Sequence, residues 1–163
     1  MPKRTVSRMA YEPLFLAYLV YFNRDRDYFE CHEVLEELWL ARERDPLYKA
    51  LLQTAVGLYH YRNHNVRGGL IMLQRSYEVL QQYPGNTLGI NLAKLAGEVG
   101  DYARKLNSCA DHPVDYYDLT IDLIDPVLIK EVAAAGAEIV PNQPQRRGPQ
   151  RPVTNHRKLR NNE

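Results

Sequence analysis

Cysteine is scarce in this chain of 163 residues, which holds only Cys31 and Cys109. Two thiols cannot build a disulfide framework, and reduced thiols fit a cytoplasmic protein, the expected location. Long apolar runs are missing too. The stretch from Leu14 to Phe22 is far short of the ~20 residues a membrane-spanning helix needs. It follows Glu12-Pro13, contains Tyr18 and Tyr21, and leads into Asn23-Arg24-Asp25-Arg26-Asp27 rather than a small-residue cleavage site. A first core helix is therefore expected there, with neither membrane anchor nor leader. The chain has no glycine-rich phosphate loop, no dinucleotide-binding turn and no Ser or Cys nucleophile elbow. Alternating strand patterns are absent apart from Leu119-Thr120-Ile121-Asp122-Leu123.

Charge is plentiful but uneven. The net charge is +1 with 25% charged residues, an ordinary proportion for a globular chain. Arg146, Arg147, Arg151, Arg157, Lys158 and Arg160 stand against Glu163 alone near the C-terminus, which leaves the preceding body acidic. That end also holds Pro144, Pro149 and Pro152 and almost nothing apolar. Such a segment cannot bury enough surface to offset its ordering entropy. The division expected is a flexible start (1–10), a helical domain (11–140) and a disordered basic tail (141–163). Any nucleic-acid contact would be weak, non-specific and confined to that tail.

What the body does contain is helical periodicity. One helix starts near Glu12-Pro13, with proline suited to a first turn. Asp27 is the expected cap of a second, with Glu30 three residues on in a capping-box arrangement. Asp45-Pro46 opens a third that runs to about Asn63. A fourth follows Asn65, with Val66, Leu70, Leu73, Tyr77 and Leu80 on one face, and ends before Tyr83-Pro84-Gly85. A fifth carries Leu88, Leu92, Leu95, Val99, Tyr102 and Leu106, and Asp125-Pro126 opens a short last helix through Ala135. The reading is an all-α, single-domain bundle of about five to six helices, built from antiparallel hairpins.

The second helix holds the residues that need an explanation. At about 100° per residue, Tyr28, His32, Leu35 and Trp39 share a narrow stripe, and Glu36 lies about 40° from His32. A histidine and a carboxylate on an apolar face cost several kcal/mol unless something answers them. The third helix is apolar nearly all round but carries Gln53, Gly57, His60 and His64 along one line. Mid-helix glycine costs up to about 1 kcal/mol relative to alanine, and close approach of a neighbour is its expected return. A short turn makes the two helices antiparallel, so the His32/Glu36 patch should meet the Gln53/His60 line, walled by Phe29, Trp39 and Tyr59.

The run Phe22-Asn23, then Tyr28-Phe29-Glu30-Cys31-His32-Glu33-Val34-Leu35-Glu36-Glu37-Leu38-Trp39, resembles the signature of domain of unknown function 309. So does Leu52-Gln53, Ala55, Leu58-Tyr59-His60 and Asn65-Val66-Arg67-Gly68-Gly69. The resemblance covers roughly residues 11–106 and implies a small all-α bundle with no assigned activity. Its motif positions here are Phe29, Glu30, His32, Glu33, Glu36, Trp39, Gln53, His60, Asn65 and Gly68. Cys31 and Gly69 stand where that family usually has alanine.

Three functions fit these residues. One is a divalent-metal site with His32, Glu36 and His60 as ligands, suited to hydrolysis. It lacks both the His-Glu-x-x-His of zinc proteases and the repeated Glu-x-x-His of di-iron bundles. Another is a metal-free polar site in which His32, Glu36 and His60 are catalytic candidates, with Glu33, Trp39, Gln53 and Tyr59 contacting a ligand. The third is a tetratricopeptide-like hairpin over residues 47–80 that holds a protein partner, with the His/Glu cluster purely structural. Twelve tyrosines and the apolar first helix leave room for a homo-oligomer.

Overall fold

Side-chain caps determine where most of the helices begin. A computed structural model describes residues 9–142. Among them are six α-helices: α1 (Pro13–Val20), α2 (Tyr28–Ala41), α3 (Pro46–Arg62), α4 (Val66–Leu80), α5 (Leu92–Asn107) and α6 (Pro126–Glu138). The carboxylates of Asp27, Asp45 and Asp125 and the amide oxygens of Asn65 and Asn91 accept first-turn N–H groups of α2, α3, α6, α4 and α5. Each cap satisfies a donor that helix geometry leaves unpaired. The Asp27–Glu30 capping box is only half formed, because the Asp27 N–H donates to the Tyr21 carbonyl. That carbonyl lies in a π-helical turn, Tyr21–Asp25, which ends α1.

Three boundaries differ from those expected. α5 starts at Leu92 rather than Leu88, which instead lies in a 3-10 turn at φ +61°. α6 continues past Ala135 to Glu138. Leu119–Leu123 forms no strand; among the described residues it makes one isolated antiparallel bridge, Ile90 to Leu123. The flexible start and the basic tail lie outside the described residues apart from 9–10 and 141–142. Within those, the Ala10 N–H donates to Glu131 Oε2 at 2.7 Å, and the Asn142 amide donates to Asp27.

Packing follows chain order: α1 on α2, α2 on α3, α3 on α4, α4 on α5, with α6 folded back on α1. α3 is the middle of this series and buries Leu47, Ala50, Leu51, Leu52, Thr54, Ala55, Gly57 and Leu58. The expected return on Gly57 is found at its crossing with α4. A Cβ at Gly57 would lie 2.7 Å from Leu73 Cγ and 3.3 Å from the Gly69 carbonyl, and one at Gly69 would lie 3.1 Å from the Gly57 carbonyl. The two backbones touch through paired glycines. Nearby, the Ser76 hydroxyl donates to the Ala50 carbonyl at 2.8 Å and lies 2.7 Å from Thr54 Oγ1, a buried polar clasp across the same interface.

Residues 108–124 form a strap across the bundle. Asn23 holds it the way a strand would: its amide donates to the Ile121 carbonyl (2.8 Å) and accepts the Ile121 N–H (2.9 Å). Tyr102 stacks on Tyr117 with ring centroids 4.1 Å apart. The Tyr28 hydroxyl donates to Asp118 at 2.8 Å.

Gly57→Ala should therefore lower stability by about 1–3 kcal/mol, because the buried Leu73 must move. Gly97→Ala, where a Cβ meets nothing within 4 Å, should raise it by about 0.5–1 kcal/mol through helix propensity and chain entropy. Urea midpoints of the two variants check both signs.

Candidate functional site

α2 and α3 run antiparallel in one register. Phe29 meets Tyr59 (centroids 6.0 Å apart) near one end, and the Lys49 ammonium lies 4.5 Å from the Trp39 ring centre near the other. Between the N-terminal turns of α2 and the last turns of α3 is an open pocket of about 270 Å³, lined by Tyr28, Phe29, His32, Val56, Tyr59 and His60. The residue types explain its character. Three aromatic rings and a valine supply an apolar wall, and two imidazoles, one from each helix, supply its polar groups.

The carboxylates are not where the helical wheel places them. α2 packs against α1 as well as α3, so its buried arc is wide and centred on Cys31, Leu35 and Leu38. His32 and Glu36 lie at its margin, with side chains 34% and 30% exposed. Glu30 and Glu33 are the buried acids of α2. Glu33, 7% exposed in its side chain, comes within 3.2 Å of His32 Nδ1, whereas Glu36 is 3.9 Å from Nε2. An ionised carboxylate can only accept, so Glu33 orients the ring through an Nδ1–H that donates to it. The intended partner of His32 was Glu36; the one in hydrogen-bond reach is Glu33.

His60 has its own support. The Asn65 side chain caps α4 through Oδ1, which accepts the Gly68 N–H at 2.9 Å, and this turns Nδ2 toward His60 Nδ1 at 3.4 Å. Gly68 leaves the room for it. A Cβ there would lie 2.5 Å from Asn65 Nδ2 and 3.0 Å from His60 Cδ2. Burial, and then the neighbouring His32, push the His60 pKa below its ordinary 6.5.

Tyr28 closes the rear of the pocket. Its hydroxyl is held by Asp118 and the Arg62 guanidinium lies 4.7 Å over its ring, while burial above all pushes its pKa up. The remaining candidates fall elsewhere. Trp39 is not a pocket wall; its ring is flanked by Arg44 and Lys49. Gln53 is buried in α3 but does not line the pocket. His64 is exposed beyond the end of α3, at φ +69°. Cys31 is fully buried, and burial raises its thiol well above the usual range, so it is no thiolate nucleophile. Among the described residues no group of three or more His, Cys, Asp or Glu could hold a metal ion. Glu33 lies 3.2 Å from one nitrogen of His32, and the Asn65 amide lies 3.4 Å from one of His60.

Sequence reasoning missed Val56, Tyr28 as a pocket wall, and the support from Asn65 and Gly68. The Asn65-to-Gly68 spacing was a visible signal, since an N-cap bonds the residue three further on.

Residues 15–72 match the family described as Domain of unknown function (DUF309). The match is confined to this segment. It includes every residue lining the pocket, and is shorter than the 11–106 over which the motif resemblance was drawn. YpuF of Bacillus subtilis (strain 168), named as an uncharacterized protein, is 40% identical over 74 residues, or 44% of this chain and 42% of its own length. An uncharacterized protein of Aquifex aeolicus (strain VF5) is 26% identical over 72 residues, or 42% of this chain and 22% of its own. The chain thus spans less than half the length of either relative. No solved structure matches it. Among the described residues no helix is long and apolar enough to cross a membrane.

The lowered His60 pKa fixes a direction for pH dependence. As pH falls below about 6.5 the unfolded chain takes up the proton before the folded one, so this contribution to stability is complete above 6.5 and diminishes through the window beneath it. His60 C–H resonances should titrate below 6.5, and His60→Gln should flatten that part of the stability–pH curve, as read by thermal melts.

Proposed function

We propose that this protein binds a small, largely apolar organic molecule between α2 and α3, with His32 and His60 as its polar contacts. The observation that carries this reading is the convergence of two imidazoles, from different helices, on one pocket otherwise walled by Tyr28, Phe29, Val56 and Tyr59. Purely structural histidines have no need of a shared opening of about 270 Å³. A dry cavity of about 150 Å³ is enough for benzene, so this volume suits a single substituted ring. The apolar wall provides affinity through area, and a few polar groups provide orientation, as in small-molecule sites generally. With Glu33 on Nδ1, His32 can also act as a general base toward such a ligand. The chemistry stays within acid–base catalysis, and no metal is required.

The second reading is an interaction module, favoured by the glycine-paired α3–α4 hairpin. In that case the pocket would receive an aromatic side chain of a partner protein.

Calorimetry with single-ring fragments separates the two. The wild-type protein should bind members of such a set, and Val56→Phe, which fills the pocket from α3, should abolish binding with a melting temperature close to wild type. Absence of fragment binding, or binding untouched by Val56→Phe, contradicts the proposal.

A further inference from the structure

We propose that the outer face of α6 is a self-association surface, which pairs antiparallel with the same helix of a second copy of this chain about a twofold axis. The surface is separate from the pocket between α2 and α3, so neither reading depends on the other.

Among the described residues, the large apolar side chains left exposed gather in one region. Ile124, Val127, Ile129 and Val140, each at least 47% exposed, lie on α6 and its two flanks. Met9 adjoins Ala10, whose N–H donates to Glu131 of α6, and only Leu40 lies apart, on α2. A single exposed apolar residue is ordinary, but a cluster of this kind marks an interaction site. The helix cannot turn to bury it. Leu128 packs inward, the Arg24 guanidinium donates to the Gly136 and Ile139 carbonyls at 2.8 and 3.1 Å, and Glu131 accepts the Ala10 and Tyr11 N–H groups. At about 100° per residue, Ile129 and Val127 stand at the two rims of the outer arc, with Ala133, Ala137 and Ala134 between them. Branched rims on either side of a floor of methyl groups let a second helix approach closely.

Charge selects the occupant. Lys130 and Glu138 are the charged residues of that arc and its edge, because Glu131 is turned toward Ala10 and Tyr11. Glu138, in the last turn, opposes the dipole of its own helix. An antiparallel copy crossing at Ala134 brings the partner's Lys130 level with Glu138, and the partner's Val127 beside Val140. Within one chain Lys130 and Glu138 are eight residues apart, about 12 Å along the axis, and do not pair. A parallel copy would instead set lysine against lysine. A helix lying on a membrane surface carries Lys and Arg along its polar face, and here Lys130 is the single cation. A contact built on a 13-residue helix is at the small end of specific interfaces, so the dimer should be weak and concentration-dependent.

Sedimentation equilibrium of the full chain from about 1 µM to about 500 µM covers the dissociation constants that an interface of this size gives. A reversible monomer–dimer equilibrium is expected. Ala134→Glu puts two carboxylates face to face at the twofold axis and should weaken the dimer at least about tenfold. Ala134 is exposed and glutamate is a good helix former, so helicity and the melting temperature of the monomer should hold. Lys130→Glu and Glu138→Lys, both at exposed positions, should each weaken dimerisation by about threefold, and the double swap should restore it. Restoration identifies a contact between chains, since the two residues are too far apart to meet within one. A wild type that stays monomeric throughout means that another protein or another part of the chain covers this face, and overturns the proposal. So does a dimer untouched by Ala134→Glu, or one that the single swaps weaken and the double swap fails to restore.

Discussion

The contact of α3 with α4 at Gly57 and Gly69 is the constraint on which the rest of the molecule depends. With no Cβ on either side, the two backbones approach until a Cβ at either glycine would crowd the other's carbonyl. α3 is then covered by α4 on one face and α2 on another, and its buried residues run almost all round. A helix so enclosed cannot rotate or slide without opening voids, and close-packed interiors resist that. The position of α3 fixes where Val56, Tyr59 and His60 stand. The short turn from α3 to α4 then brings Asn65 beside His60. Structure and site are thus coupled at one place: the helix that organises the core also supplies half of the pocket.

A second set of interactions backs the pocket from outside the DUF309 segment. The strap over 108–124 is tied down by Asn23, by the Tyr102–Tyr117 stack and by Asp118, which takes the Tyr28 hydroxyl. Tyr28 is therefore shared between the strap and the pocket wall. The matched segment ends within α4 at residue 72, yet the orientation of one of its wall residues is held from residue 118. In this chain the site is completed by sequence beyond the family match.

Much of this was legible beforehand, for identifiable reasons. Helix starts are encoded locally, so Asp27, Asp45, Asn65 and Asp125 announced theirs. The pairing of α2 with α3, and the meeting of His32 and His60 at one pocket, followed from a short turn and helical periodicity. The error at Glu36 has a definite cause. A helical wheel finds the apolar stripe, but α2 has two packing partners, and their combined footprint shifts its buried arc toward Cys31 and Leu38. That shift buries Glu33 and leaves Glu36 at the margin. Trp39 was misplaced for another reason. Its ring is satisfied by two cations, Arg44 from the following turn and Lys49 from α3, a pairing no single-helix pattern can reveal. The late start of α5 depends on the positive φ of Leu88, a choice made by the tertiary turn against the preference of the residue.

Whether the opening between α2 and α3 is a ligand site decides what this domain does. The most direct measurement is a crystal structure of the full chain soaked with single-ring fragments. Density for a ring between Phe29 and Tyr59, with its polar end between His32 and His60, is the result predicted. Fragment density only at other surfaces, with Tyr59 or Phe29 folded in to fill the opening, would contradict it.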